Sequence, residues 1–259
     1  MSENVLFLYE NLIDSATLTA SSEAAGFPVS NLKNPFRSKV WRTAGTPAGT
    51  AYLDIDLGAG THSVTCVALA GYTWTAAPGT LQVEFDDTAS HGSPEHTETL
   101  TWAANPTVNG NPATIIKTFT SKDERYIRLN VVYAPGDWNL GKIFLGTYFQ
   151  PTRNYDIEWT ENIIDPSIIS QTVGGQDHVD IIEKYREFGM SFVAATQAQW
   201  ELFQKMIRHS GMSKELFVAF DYTNEPDELT VYGKFAGIPG MSNVMTSYKR
   251  LNFSFRESR

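Results

Sequence analysis

Short segments of alternating apolar and polar residues dominate the first half of the chain. Leu53, Ile55 and Leu57 alternate with polar neighbours, and the same two-residue period returns in residues 81–85 and 127–131. Successive side chains of a β-strand point to opposite faces, so each segment can bury one face and expose the other. Clusters of Gly, Pro, Ser, Asn and Asp separate the segments and supply turns. The pattern predicts an antiparallel β-sandwich without a helix longer than a turn or two.

One helical pattern stands out in the second half. Thr196 and Gln199 have the spacing of a capping box, and the apolar residues that follow recur on one helical stripe. Gly211 supplies a C-terminal stop. These signals predict a helix at about 197–209 that covers a sheet. The segments expected to form that sheet lie near residues 155–161, 179–193, 215–222, 228–235 and 248–255. Charged residues of mixed sign crowd the second segment at residues 180–187, which is a strand or a hairpin.

The alternation lapses around residues 150–154, where Pro151 removes a backbone donor that a sheet would need. We therefore expect two domains. The first, residues 1–150, is a β-sandwich, and the second, residues 151–259, is a β domain with one α-helix. The expected fold class is mainly β.

Composition indicates a folded chain, since 42% of its residues are hydrophobic and 12% are aromatic. The formal net charge of -9 argues against a general nucleic-acid binder, because phosphate binding depends on Lys and Arg. Cys66 is the single cysteine and lies in an apolar run, so a buried thiol is expected. We find no secretory signal pattern and no apolar stretch long enough for a membrane span. Synthesis and folding in the cytoplasm are therefore expected.

Several segments resemble a discoidin domain, also called a coagulation factor 5/8 type C domain. Its opening is matched by Ala20-Ser21-Ser22-Glu23-Ala24, Gly26-Phe27-Pro28-Val29, Asn31-Leu32 and Val40-Trp41-Arg42. Residues 125–131 and 141–146 resemble the last strands of that domain as it occurs in phage and prophage tail proteins. The resemblance implies an N-terminal discoidin-like antiparallel β-sandwich of the jelly-roll type.

Residues 149–156, with Gly174-Gly175-Gln176 further on, are similar to a group of prophage-encoded proteins found among tail genes. The resemblance implies a non-enzymatic structural protein at the distal end of a long-tailed siphophage, made in the cytoplasm of the bacterial host. Such proteins form rings, typically hexamers, that join the tail tube to the tip complex. The implied partners are other copies of the chain, the tail tube protein, the tape measure protein and the tail hub or tip proteins.

A carbohydrate-binding module that attaches to host-surface glycans is the alternative function. Aromatic rings beside hydrogen-bonding groups suit weak sugar recognition, and Tyr72, Trp74 and Trp102 lie near expected loops. Large aromatic residues also fill cores, which is the role expected for Trp41 and Trp138. For Tyr72, Trp74 and Trp102, the two alternatives are contact with a sugar and packing in the core.

Acidic residues and histidines give little indication of a catalytic or metal site. The group Asp86, Asp87, His91, Glu95, His96 and Glu98 matches no zinc or EF-hand spacing, so a solvated polar loop is expected there. Asp54 and Asp56 share one strand face, where exposure would relieve their repulsion. Sequence motifs for phosphate binding or for a nucleophilic serine are missing. We expect no cofactor and no metal. A tail-associated glycosidase or lyase is the third function that the sequence leaves open.

Overall fold

A computed structural model gives the fold of the chain. It describes residues 5–258 apart from short gaps. The residues outside the description are 1–4, 46–49, 73, 75–76, 103–113, 133–137, 157–158, 172, 227, 246–247 and 259.

The described residues confirm the mainly β fold class. One α-helix, α1 (Gln197–Ser210), and two short 3₁₀ helices, Leu12–Asp14 and Val29–Lys33, accompany the strands. Helix α1 is too short and too polar to cross a membrane, and it is the longest helix in the described part of the chain. The strands are β1 (Leu6–Leu8), β2 (Thr17–Ala20), β3 (Trp41–Arg42), β4 (Thr50–Asp56), β5 (Val64–Ala70), β6 (Thr80–Asp86), β7 (His96–Thr99), β8 (Thr114–Lys122), β9 (Tyr126–Val132), β10 (Asn139–Leu140), β11 (Lys142–Gly146), β12 (Thr160–Ile164), β13 (Ile168–Gln171), β14 (Asp177–Asp180), β15 (Tyr185–Ala195), β16 (Leu216–Ala219), β17 (Thr230–Phe235), β18 (Gly240–Met245) and β19 (Tyr248–Glu257).

The chain divides into two compact units. The first unit contains residues 1–150 and 217–231, and the second contains residues 151–216 and 232–259. The first unit is therefore built from two separate stretches of sequence. The division into functional domains 1–150 and 151–259 stays a prediction.

The first unit is an antiparallel β-sandwich. One sheet has the strand order β2-β4-β9-β6-β7 and the other β11-β5-β8. Leu53 on β4 lies beside Leu129 on β9, which in turn lies beside Val83 on β6, so the predicted alternation places three apolar side chains in one row. A single buried cluster draws residues from both sheets, as burial of apolar surface requires.

Aromatic residues fill one region of this core. Trp41 and Trp138 are buried, as the sequence predicts, with ring centroids 4.7 Å apart in an edge-to-face arrangement. Such pairs add about 0.5–1.5 kcal/mol to the stabilisation from buried area. Cys66 is buried as well, and burial raises the pKa of its thiol. The thiol therefore stays protonated and behaves as a small apolar group.

The second unit is a sheet covered by α1. Strand β15 pairs with β12 on one side and with β19 on the other, and β19 also pairs with β17 and β18. Phe192, Phe203 and Phe253 pack against one another, with ring centroids 5.0–5.5 Å apart, and join the helix to the sheet. The helix ends at Ser210, one residue beyond the predicted position, and the next residue is Gly211, whose φ of 52° suits a residue without a side chain.

Two predicted strands differ in their extent. The strand expected at residues 155–161 is β12, Thr160–Ile164. The segment near residues 179–193 was expected to form a strand or hairpin of the covered sheet, but β14 ends at Asp180 and β15 begins at Tyr185. Asp180, Glu183 and Lys184 interrupt the alternation there. As a result β13 and β14 form a separate two-stranded hairpin.

Candidate functional site

A cavity of about 530 Å³ lies in the first unit beside strand β8. Ligand sites are typically clefts of about 300–1,000 Å³ lined by apolar and aromatic groups with a few polar ones. The lining here is mixed, with four apolar residues and five that carry polar groups. It combines residues from the chain after β7, from β8 and from a turn after β16, and includes Trp102, Thr114, Ile116, Lys117, Tyr222 and Pro226.

The turn after β16 carries Tyr222 to the cavity. The Asp221 carboxylate accepts hydrogen bonds from the backbone N–H groups of Thr223 and Asn224, at 3.2 and 3.1 Å, which is the local geometry that Asp favours in turns. Tyr222 Oη then accepts the backbone N–H of Thr118 at 3.2 Å and lies 2.8 Å from the Thr118 hydroxyl. These bonds fix the tyrosine against the outer side of β8.

Trp102 forms the opposite wall. Its ring is half-buried and packs against the core of the sandwich. Its indole Nε1 is buried and has no hydrogen-bond partner among the described residues. Among the described residues, the core tryptophans Trp74 and Trp138 also have a buried indole Nε1 without a partner.

The other two aromatic residues proposed for sugar contact lie in the core. Tyr72 and Trp74 are each 3% exposed, and their ring centroids are 4.7 Å apart. Trp74 also packs edge-to-face on Trp138, at 5.6 Å. Neither ring lines the cavity, whereas Trp102 does. Sugar contact at Tyr72, Trp74 and Trp102 stays a prediction, and the arrangement favours Trp102.

Lys117 is the charged residue in the described lining of the cavity. It lies on β8 and is half-buried. Thr101, Thr114 and Thr223 line the same space. The cavity is therefore lined by aromatic, hydroxyl-bearing and basic residues.

Paired charges occupy the outer face of the five-stranded sheet, where the side chains of Asp54 and Asp56 are partly exposed, at 27% and 31%. Arg128 binds Asp54 through two nitrogen atoms, at 2.5 and 3.0 Å, and Arg125 binds Asp56 in the same way, at 2.6 and 2.8 Å. The Arg125 guanidinium holds the pKa of the Asp56 carboxyl below its usual value. Cross-strand pairing with arginine relieves the repulsion that exposure was expected to relieve.

The loop between β6 and β7 is also less solvated than expected. Asp86 and His91 are 4% and 8% exposed, because the loop folds back over the sheet. His91 has a φ of 47°, the one positive φ among the described residues other than glycine. Burial, followed by the charge of Arg128, lowers the pKa of His91. Asp87 and Glu95 are exposed, whereas Glu124 lies 3.2 Å from His96.

The hairpin of β13 and β14 is the second feature with functional potential. We call residues 165–184 the apolar hairpin. Six of the twelve exposed large apolar side chains in the described part of the chain lie in it. They are Ile168, Ile169, Val173, Val179, Ile181 and Ile182. Exposed apolar side chains concentrated in one segment are a feature of interaction sites.

Comparisons with known proteins give no family assignment. No family model matches the chain, and no curated protein does. Among solved structures, the chain is similar to chitosan-binding module 1 of a chitosanase/glucanase from Paenibacillus sp. IK-5, with 23% identity and a TM-score of 0.40 over 53% of this chain and 99% of that one. It is also similar to a fucose binding module of Streptococcus pneumoniae, with 14% identity and a TM-score of 0.40 over 53% of this chain and 95% of that one.

A third similar structure is the family 32 carbohydrate-binding module of C. perfringens NanJ in complex with galactose. The identity is 14% and the TM-score 0.40, over 56% of this chain and 99% of that one. These modules have a discoidin-like fold, and they match about half of the chain. At such identities and TM-scores the likeness says nothing about what this chain binds.

Sequence reasoning identified Trp102 and missed the other residues of the cavity, Lys117 and Tyr222 among them. Tyr222 is 104 residues from the backbone N–H that it binds, so no local spacing links the two. The sequence Asp221-Tyr222-Thr223-Asn224 does signal a turn. It gives no indication of which strand that turn covers.

Proposed function

We propose that the chain is a non-enzymatic carbohydrate-binding protein whose first unit holds a sugar in the cavity beside β8. The observation that carries this proposal is that one cavity brings Trp102 and Tyr222 together with Lys117. A pyranose ring combines apolar C–H faces with hydroxyl groups. It can therefore pack on an aromatic face while its hydroxyl groups form hydrogen bonds with polar groups.

The similar modules suggest the first probes, because their names mention chitosan, fucose and galactose. Binding of chitosan oligosaccharides, fucose and galactose to the full chain would be measured by titration calorimetry and by tryptophan fluorescence. Trp102→Ala is expected to weaken binding at least tenfold, or by about 1.4 kcal/mol. Trp200→Ala, at a half-buried tryptophan of the second unit, is the matched control.

Loss of binding in Trp102→Ala with retention in Trp200→Ala supports the proposal. Equal binding by both variants places the sugar elsewhere and contradicts it. If none of the probes binds, the same titration with anionic sugars tests whether Lys117 selects a carboxylate. Failure of that second set as well ends the carbohydrate proposal.

A structural role in a phage tail is the second candidate function. The observation that favours it is the apolar hairpin, because sugar binding in the first unit needs no such surface in the second. This role includes ring formation by copies of the chain and contact with tail tube, tape measure and hub or tip proteins. It also includes a location at the distal end of the virion tail.

The tail role is tested by mixing the purified chain with purified tail tube and hub proteins and measuring the mass by light scattering. A discrete complex larger than either component supports the role. Unchanged masses at every ratio contradict it. The two functions are compatible, since each uses a different unit.

A further inference from the structure

The exposed apolar side chains of the apolar hairpin are arranged as a contact surface. Ile169 on β13 lies directly opposite Val179 on β14, so their side chains are neighbours on one face. They are 68% and 46% exposed. An isolated two-stranded hairpin is marginally stable in water. Covering this face would remove apolar surface from water and stabilise the hairpin.

The apolar hairpin is acidic. It contains Asp165, Asp177, Asp180 and Glu183 against Lys184. Lys184 lies 3.4 Å from Asp165, and His178 lies 3.3 Å from Asp180. With His neutral, the hairpin carries a formal net charge of -3. A partner surface that is both apolar and basic would match that net negative charge.

The outer face of α1 and the residues after it have that character. Lys205, Arg208 and Lys214 are exposed there, and Glu201 is the one acid in residues 197–214. Two of the large exposed apolar side chains, Leu202 and Met212, lie on the same stretch, at 47% and 49% exposure. The outer face of α1 therefore carries cations beside apolar groups, whereas the apolar hairpin carries carboxylates beside apolar groups.

Both surfaces are exposed in the same unit of one chain, so neither covers the other within a single molecule. We propose that the apolar hairpin of one copy docks on the outer face of α1 of a second copy. The contact joins two different surfaces, so it is heterologous and repeats head to tail. This inference rests on the structural role proposed above and is independent of sugar binding.

The test is the mass of the full chain in solution, measured by light scattering over a range of concentrations and compared with 28.8 kDa for a single chain. The double variant Ile169→Ser with Val179→Ser is expected to raise the dissociation constant of self-association at least tenfold. Ile238→Ser is the control, because Ile238 lies outside the hairpin and is 61% exposed. All of these side chains are exposed, so circular dichroism should show unchanged folding.

A charge exchange tests the docking surface itself. Arg208→Glu and Asp177→Arg should each weaken self-association, and the chain that carries both should recover part of it, because the two charges are then opposite again. Recovery supports docking on α1, and no recovery overturns it. High salt should weaken the wild-type complex.

The remaining outcomes separate this inference from the proposed role. An oligomer that survives the hairpin variant overturns the hairpin contact but leaves ring formation intact. A wild-type chain that stays monomeric at every concentration overturns self-association altogether. Contacts with tail tube and hub proteins are measured separately and can persist in either case.

Discussion

At the scale of single residues, His91 combines a constrained backbone with a buried titratable group. Its pKa is lowered by burial and by Arg128, while Asp54, Asp86 and Glu84 act in the opposite direction. The unfolded value is about 6.5. Since the folded value lies below it, the unfolded chain binds the proton more readily. The stability linked to neutral His91 is present above about pH 6.5 and is lost as the pH falls through the folded pKa.

We expect the loss of stability at low pH to be absent in His91→Asn, because asparagine does not titrate. Asparagine also tolerates positive φ better than most residues. Urea unfolding at pH 7.5 and at pH 5.5 checks it. The free energy of unfolding of wild type should fall relative to that of the variant as the pH is lowered. His178→Asn, at an exposed histidine, should follow wild type. If the free energy of unfolding changes by the same amount between the two pH values in wild type and in His91→Asn, the histidine contributes nothing to the pH dependence.

At the scale of elements, α1 depends on Thr196. The Thr196 hydroxyl accepts the backbone N–H of Gln199 at 3.4 Å, which satisfies one of the unpaired donors at the start of the helix. Thr196→Ala should lower the free energy of unfolding of the second unit by about 1 kcal/mol, because that donor loses its partner. Thr196→Ser keeps the hydroxyl and should cost less. The urea midpoint, with an unchanged slope, measures both effects. If Thr196→Ala and Thr196→Ser lower the free energy of unfolding equally, the effect comes from side-chain packing and not from capping.

The same helix shows what a sequence can predict. Its start, its apolar stripe and its glycine stop are local signals, and the structure reproduces all three within one residue. The strand pattern of the sandwich is equally local, since a two-residue period is a property of one segment. The choice between a strand and a hairpin near residues 180–187 stayed open, because charged residues break the period without changing the overall β character of the segment.

Long-range pairing explains the remaining differences. Asp54 and Arg128 are 74 residues apart and meet because β4 and β9 pair in one register. No spacing in the sequence specifies that register. The cavity depends in the same way on a turn that arrives from residues 221–226, far from Trp102. Single-sequence reasoning therefore identified one wall of the site and could not identify the other.

At the scale of the whole molecule, the first unit depends on residues 217–231. Strand β16 pairs with β1, and Phe217 packs edge-to-face on Phe144, with ring centroids 6.2 Å apart. Tyr222 also bonds to Thr118. Removing the segment would expose Phe144, which is otherwise 1% exposed, and leave the outer side of β8 without its tyrosine. Burial of one such side chain is worth about 1.5–3 kcal/mol.

A fragment of residues 1–150 should therefore unfold at lower urea concentration than the first unit does in the full chain, and should bind a hydrophobic dye. Adding residues 217–231 through a flexible Gly/Ser linker should restore the midpoint and abolish dye binding. The same fusion with Phe217→Ser and Tyr222→Phe is the matched control. It carries the full segment without two of its main contacts. If the fragment of residues 1–150 is already as stable as the fusion, these contacts add nothing, and residues 1–150 form a self-sufficient domain.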